Sequence, residues 1–428
     1  MKDPNPNRSG YKKTAVGWIP NEWECVRLGS VFTQSKKKGK KGLPVLSVTT
    51  DRGVVPRSRI DRKMAEDVSP EQSLLVEPGD LAYNMMRMWQ GAVGVCEMLG
   101  VVSPAYVVCR PIKTRVDPWY MVHLFKSHPG RHWLTSYSYG IHEDRLRLYY
   151  DGFALIQMPL PPLAEQHKIA AILSTWETAI EETRTLIAAA KRRKTALMQQ
   201  LLTGTRRLPG FRGGRGDAGH KTHDAAEGVV QEGWRHISLG ELGDVVSGGT
   251  PDTERAELWG GSIPWVTPSE ITCLSSPFIS STERSISPRG MDASGATLLP
   301  ANSIIVCTRS TVGACAINVV PMTTNQGLKG IVVTQGDADV VFLYYAILMR
   351  KHLLLRLASG STFVEVSKSS LESIVVDLPP LPEQRAIASI LTKADDEIRN
   401  LEAQAEALER QKKGLTQKLL TGEVRVKR

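Results

Sequence analysis

The sequence has little that would make it a metalloprotein, a membrane protein or a self-sufficient enzyme. Its six cysteines, Cys25, Cys96, Cys109, Cys273, Cys307 and Cys315, include no CxxC pair. That argues against a zinc site or a redox motif and leaves buried thiols as the expectation. No apolar run reaches the ~20 residues of a membrane-spanning helix. The opening MKDPNPNRSGYKK has no apolar signal core, so a cytoplasmic location is expected. The phosphate loop GxxxxGK(S/T), a GxGxxG after a strand, HExxH and GxSxG are all missing. So is the (D/N/S)PP(Y/F/W) tetrapeptide that holds a flipped adenine, because both Pro-Pro pairs are flanked by Leu. A DxK triplet at Asp61 to Lys63, with Asp51 ten residues upstream, only loosely resembles a metal-dependent nuclease spacing, and such triplets are frequent by chance. His220 and His223 fall in a Gly-rich stretch, and His128 and His132 flank Pro129-Gly130, so neither pair reads as a metal site. No catalytic residue and no metal are expected.

What is present is a repeat. Residues 160 to 204 begin LPPLAEQ and end LLTG; residues 378 to 422 begin LPPLPEQ and end LLTG, at a constant offset of 218. A 4-3 spacing runs through Ile169, Leu173, Trp176, Ile180, Thr183, Ile187, Ala190, Lys194, Leu197 and Leu201. It returns through Ile387, Leu391, Ala394, Ile398, Leu401, Ala405, Leu408, Lys412, Leu415 and Leu419. This is the pattern of a coiled-coil seam. Two readings fit the seam lysines Lys194 and Lys412: each fixes the register of the pairing, or each snorkels from a widened helix end. The Pro-Pro pairs favour an extended approach, Glu165 and Glu383 suit the first turn, and Gly204 and Gly422 suit a C-terminal stop. Each helix is expected to run roughly 40 residues, ~60 Å at 1.5 Å per residue.

The repeat extends to the segments before the helices. Trp23 precedes Leu28-Gly29 at the spacing with which Trp234 precedes Leu239-Gly240. Arg87 and Gly91 match Arg309 and Gly313, while the residues between change from Met88-Trp89-Gln90 to Ser310-Thr311-Val312. Constant edges with altered contents suggest a scaffold presenting a reading loop, against the plainer alternative of a hairpin whose surface has drifted. Mixed short strands and helices suggest two compact α/β bodies, with late glycine turns at 139–142 and 359–362. Length agrees with two or three domains.

The net charge of +10 is uneven: residues 1–150 carry 23 basic against 14 acidic residues, whereas residues 234–377 carry 10 against 13. A basic excess in one body points to a polyanion. The run SKKKGKKG from Ser35 to Gly42 reads as a phosphate-contacting loop or as a merely solvated one. Residues 205 to 233 are rich in Gly, Arg and Asp and read as a linker. A linker at the far end of the first helix makes antiparallel pairing the economical arrangement.

With two copies of LPPLxEQ…LLTG, each after a body that opens Trp-x4-Leu-Gly, the chain resembles the specificity subunits of type I restriction-modification systems over essentially its whole length. The resemblance implies α/β target recognition domains, two in pseudo-twofold arrangement, separated by two long antiparallel coiled-coil helices. The segments are then 1–159 (first recognition domain), 160–204 (first helix), 205–233 (linker), 234–377 (second recognition domain) and 378–428 (second helix and tail). It implies a non-catalytic reader of double-stranded DNA in which each domain reads half of a bipartite, asymmetric site. It also implies two methyltransferase subunits, which bring S-adenosylmethionine, and two restriction (motor and nuclease) subunits in the full complex. Helix surfaces would dock the methyltransferases, with Lys191 to Lys194 and Arg410 to Lys413 as charged contacts. Candidate DNA-binding residues are Lys36, Lys37 and Lys38 for phosphates, Arg87 and Gln90 for base edges, and Arg309, Ser310, Thr311 and Gln326 in the second body. A DNA-cleaving or DNA-modifying enzyme with a dispersed site and a coiled-coil adaptor are the alternatives.

Overall fold

The computed structural model describes residues 9–60, 72–140, 146–211, 222–225, 228–231, 233–358 and 365–426. The triplet at 61–63, much of the expected linker and parts of both late glycine turns lie outside them. The chain divides into two compact units, Met1–Glu182 with Ala405–Arg428, and Thr183–Gln404. Each unit holds one body, the start of one long helix and the end of the other.

The central sheet of the first body has the strands 32–35, 106–111, 81–84 and 93–95 side by side in that order, all antiparallel. In the second body the strands 243–247, 328–333, 304–307 and 315–318 stand in the same order, with a short parallel strand 278–279 added at the edge. The Trp-x4-Leu-Gly opening has a structural reason. Strand Glu24–Arg27 follows Trp23 and pairs with Gln157–Leu160, and strand Arg235–Ser238 follows Trp234 and pairs with Val375–Leu378. The two LPPL segments are thus strand ends, closed by Pro-Pro, that lead straight into the helices.

The long helices run Leu163–Leu202 and Leu381–Leu420, 40 residues each. All twenty seam positions are buried or half-buried, with Ile169, Leu173 and Leu391 wholly enclosed, whereas Leu186, off the seam, is exposed. Gly204 (φ 70°) and Gly422 (φ 72°) end the helices in the left-handed conformation that glycine adopts without a Cβ penalty.

Polar contacts within each unit set the direction. In the first unit Arg425 Nε lies 2.8 Å from Glu165 Oε1, and Lys412 Nζ lies 2.6 Å from Glu177 Oε1. In the second, Arg207 Nη2 lies 2.6 Å from Glu383 Oε2 and Lys194 Nζ lies 2.5 Å from Asp395 Oδ1. Residue numbers rise on one helix as they fall on the other, so the pairing is antiparallel. Every one of these pairs recurs in the other unit at the 218-residue offset. The seam lysines are therefore neither lone nor snorkelling; each meets a carboxylate of the opposite helix. Arg207, which composition placed in a linker, is part of a helix-end clamp.

The Glu-Gln of the repeated motif fastens the bodies to the helices. Glu165 accepts from Trp23 Nε1 at 3.1 Å as well as from Arg425. Gln166 Nε2 donates to the carbonyls of Pro161 and Arg115 while Oε1 accepts from Asp117 N, and Gln384 repeats this with Pro379, Asp337 and Asp339. Asp117 and Asp339 in turn cap the helices Pro118–Lys126 and Val340–Met349. From those helices His123 Nδ1 lies 3.5 Å from Glu177, and Tyr345 donates to Asp395 at 2.7 Å. Burial pushes the His123 imidazole below its ordinary value; Glu177 opposes that, and Lys412 and Lys126 add to the fall.

Two outcomes are expected. Arg207→Ala leaves the Glu383 carboxylate, 1% exposed, without its counter-ion, which by analogy with other broken buried pairs costs ~3 kcal/mol in chemical denaturation. Arg425→Ala, from a more exposed clamp, costs less. Because folding favours neutral His123, its stabilisation is full above pH ~6.5 and declines as pH falls below that unfolded-state value. His123→Gln should flatten the acid limb of a melting temperature against pH profile, and an unchanged limb would assign it elsewhere.

Candidate nucleic-acid interface

In both bodies the sheet places equivalent loops at one end. In the first, Tyr106 pairs with Asn84 and Val108 with Ser35, so the chain leaving Ser35 and Asn84 and entering Tyr106 converges there. In the second, Leu328 pairs with Cys307 and Lys329 with Ser247, which gathers the segments after Ser247 and Cys307 and before Leu328. The candidates from the two bodies fall on these ends: Lys36 to Lys38, Arg87 and Gln90 on one, Arg309 to Thr311 and Gln326 on the other.

The constant edges of the reading loop are backbone features. Gly91 (φ 88°) and Gly313 (φ 85°) both turn left-handed, each against a lysine, Lys126 or Lys351. In the first body residues Met88–Gln90 form a single 3-10 turn rather than a hairpin tip. Met88 is drawn into the core, Trp89 Nε1 donates to the Met86 carbonyl at 3.1 Å, and Arg87 and Gln90 remain exposed. In the second body Ser310 (φ 64°) and Thr311 are exposed, as is Gln326, and Thr308 N donates to Gly327 O at 3.0 Å, which sets the two loops side by side.

The three lysines differ. Lys36 is exposed, Lys37 Nζ lies 3.1 Å from Glu77 and Lys38 Nζ donates to the Gln72 carbonyl at 3.2 Å. The Lys37 hydrogen bond, helped by Arg110, holds the Glu77 carboxyl below the usual range. Part of the basic run is also strand-like, since Lys38 bridges Leu74. The run is thus partly tied to the body and not a wholly solvated loop. Arg309 is half-buried, with Nη2 2.7 Å from Glu365 Oε2.

Several residues escaped the sequence reading. Tyr139 and Arg147, both exposed, exchange backbone hydrogen bonds of 2.8 Å, and Leu148 N donates to Met85 O, placing them beside the first reading loop. The sequence marks Tyr139 only as the start of the late glycine turn, and nothing in the local pattern marks Arg147. Lys329 and Glu365 share an ion pair at the second end; a lysine inside the apolar strand LKGIVV was the available signal. Of the helix residues considered for docking, Lys191, Arg193 and Lys194 pair with Glu402, Glu397 and Asp395, and Arg410 and Lys412 with Glu406 and Glu177. Arg192 and Lys413 are exposed. Among the described residues no cluster of three or more His, Cys, Asp or Glu side chains suits a metal ion, and no helix is long and apolar enough to cross a membrane.

The model of the type I restriction modification DNA specificity domain matches residues 108–192 and 231–410. The chain is 26% identical over 452 residues to the putative type I restriction enzyme MjaX specificity subunit of Methanocaldococcus jannaschii, covering 97% of both. Over 176 residues, 40% of this chain and 42% of the other, it is 34% identical to the EcoR124I/EcoR124II specificity subunit of Escherichia coli. A solved type I restriction-modification S subunit from M. genitalium shares the fold with a TM-score of 0.59 at 15% identity, covering 97% of this chain and 98% of that one.

Lys36→Ala is expected to weaken DNA binding about equally on every sequence and to lower the slope of log affinity against log salt by ~1. Lys37→Ala should do less, since its ammonium already serves Glu77. Filter binding or anisotropy across a salt series reads both.

Proposed function

Since this chain belongs to the type I restriction-modification DNA specificity family, we propose that its two bodies each read one half of a bipartite, asymmetric DNA site. The chain is a specificity subunit. The observation that supports the division into half-sites is the pair of sheet ends: one backbone frame, with the same arginine and left-handed glycine at its edges, carrying different side chains in each body. Each end offers its loops to the major groove, where donor and acceptor patterns distinguish all four base pairs. The exposed lysines and arginines supply the sequence-independent attraction to phosphate.

The paired helices act as the spacer. Their register is fixed by charged partners within each unit. Exposed helix surface, including Arg192 and Lys413, docks two methyltransferase subunits. Those subunits hold S-adenosylmethionine and methylate adenine, and two restriction subunits complete the assembly for cleavage. This chain contributes binding and orientation and no reacting group.

Single-molecule sequencing for N6-methyladenine tests the reading in cells carrying this chain with its methyltransferase, against cells lacking only this chain. The expected result is a bipartite methylated motif that vanishes on deletion. A methylome unchanged by deletion, with the complex assembled, would overturn it in favour of an adaptor.

A further inference from the structure

At the reading end of the second body lies a buried cation that phosphate attraction does not explain. Lys329 is the second residue of the strand Leu328–Val333, where the first body has Val107 in the strand Tyr106–Pro111. Its side chain is only 6% exposed. An ammonium so enclosed requires a counter-ion, and Glu365 provides it, with Oε1 3.0 Å from Lys329 Nζ. The other oxygen, Oε2, accepts from Arg309 Nη2 at 2.7 Å. Backbone pairing reinforces the contact: Arg309 bridges Glu365, and Val366 N donates to Thr308 O at 2.9 Å. Burial works to raise the Glu365 carboxyl, and the hydrogen bonds and charges of Lys329 and Arg309 outweigh it, so the group stays ionised.

Two cations around one carboxylate leave a net positive charge. With Glu365 already balanced by Lys329, the pairing orients Arg309 without cancelling its attraction for DNA. A guanidinium is planar and presents five N–H donors in a fixed fork. Arg309 is one-third exposed and is followed by the exposed Ser310 and Thr311. A planar donor group held in one orientation suits the adjacent O6 and N7 acceptors of guanine; the same fork also fits a phosphate, so loss at one base against loss on every sequence is what separates the two.

We propose that Glu365 and Lys329 are positioning residues that hold the Arg309 guanidinium to read one guanine in the half-site of the second body. This rests on the specificity-subunit reading. At the equivalent strand position the first body has Val107 in place of Lys329.

The test uses the chain assembled with its methyltransferase subunits and oligonucleotides carrying its methylation motif, with 7-deazaguanine, which lacks the N7 acceptor, placed at each guanine in turn. One guanine in one half-site should cost the wild type ~10-fold in affinity. Arg309→Ala should lose about as much on unmodified DNA and nothing further on that modified oligonucleotide. Glu365→Gln should lose discrimination at the same guanine only, and Glu365→Asp should restore part of it. Since Glu365→Gln leaves Lys329 buried without its partner, the double variant Glu365→Gln, Lys329→Met removes both charges together, keeps the melting temperature closer to wild type and still loses discrimination. A uniform loss on all sequences with a shallower salt dependence would make Arg309 a phosphate contact and overturn the proposal. So would retained discrimination in the folded Glu365 variants, or a motif with no guanine in either half. Those results leave the specificity-subunit reading intact; the absence of any motif removes that reading instead.

Discussion

The register of the two long helices depends on charges set into an apolar seam. Leu, Ile and Ala repeat along both helices, and such a seam tolerates a slip by one heptad with little change in buried area. The pairs Lys194–Asp395 and Lys412–Glu177 do not tolerate it, because a slip leaves partly enclosed charges without partners. The end clamps, Arg207–Glu383 and Arg425–Glu165, add the same constraint where helix and body meet. Such pairs add little net stability over an apolar core; their contribution is to exclude other registers. Each body is attached to its helix by a strand, a Pro-Pro pair and the hydrogen bonds of Gln166 or Gln384, with no slack between. Register in the helices therefore fixes the attachment of each body.

The helices were legible because their pattern is local. A 4-3 spacing, a proline entry and a glycine stop give the length without any knowledge of the partner. The partners of the seam lysines were less visible, although Glu177 and Asp395 differ by the same 218 positions as the lysines. A search for charges, rather than apolar residues, at that offset would have found them. Arg207 and Arg425 obey it too, but the Gly- and Arg-rich surroundings of Arg207 read as linker. Strand order was not legible, since strand 32–35 pairs with a segment more than seventy residues away, and one sequence carries no record of such contacts.

At the reading ends the sequence showed the frame and hid the contacts. Arg87, Gly91, Arg309 and Gly313 stood out because the glycines answer a backbone need, a positive φ that other residues resist. Glu365, 56 residues beyond Arg309, carried no such mark. The charge count was also a coarse guide: Lys37 is answered by Glu77 and Arg110 by Asp80 and Glu77, so part of the basic excess in the first body is matched at short range.

The repeat separates what two half-site readers must share from what they can change. Helix caps, left-handed glycines and the Glu–Arg clamps are constrained by backbone geometry or by buried charge, and a change in one member strands the other. Exposed side chains on the loops at the sheet ends are held more loosely, as in the solvent-facing pair of Lys37 and Glu77. His123 and Tyr345 mark the boundary between these classes, since both reach a carboxylate on a long helix through different chemistry. What the frame requires there is a polar group able to meet that carboxylate, and imidazole and phenol both qualify. The loops at the sheet ends are held by their ends and by inward residues such as Met88, and their exposed positions can change while the register of the helices does not.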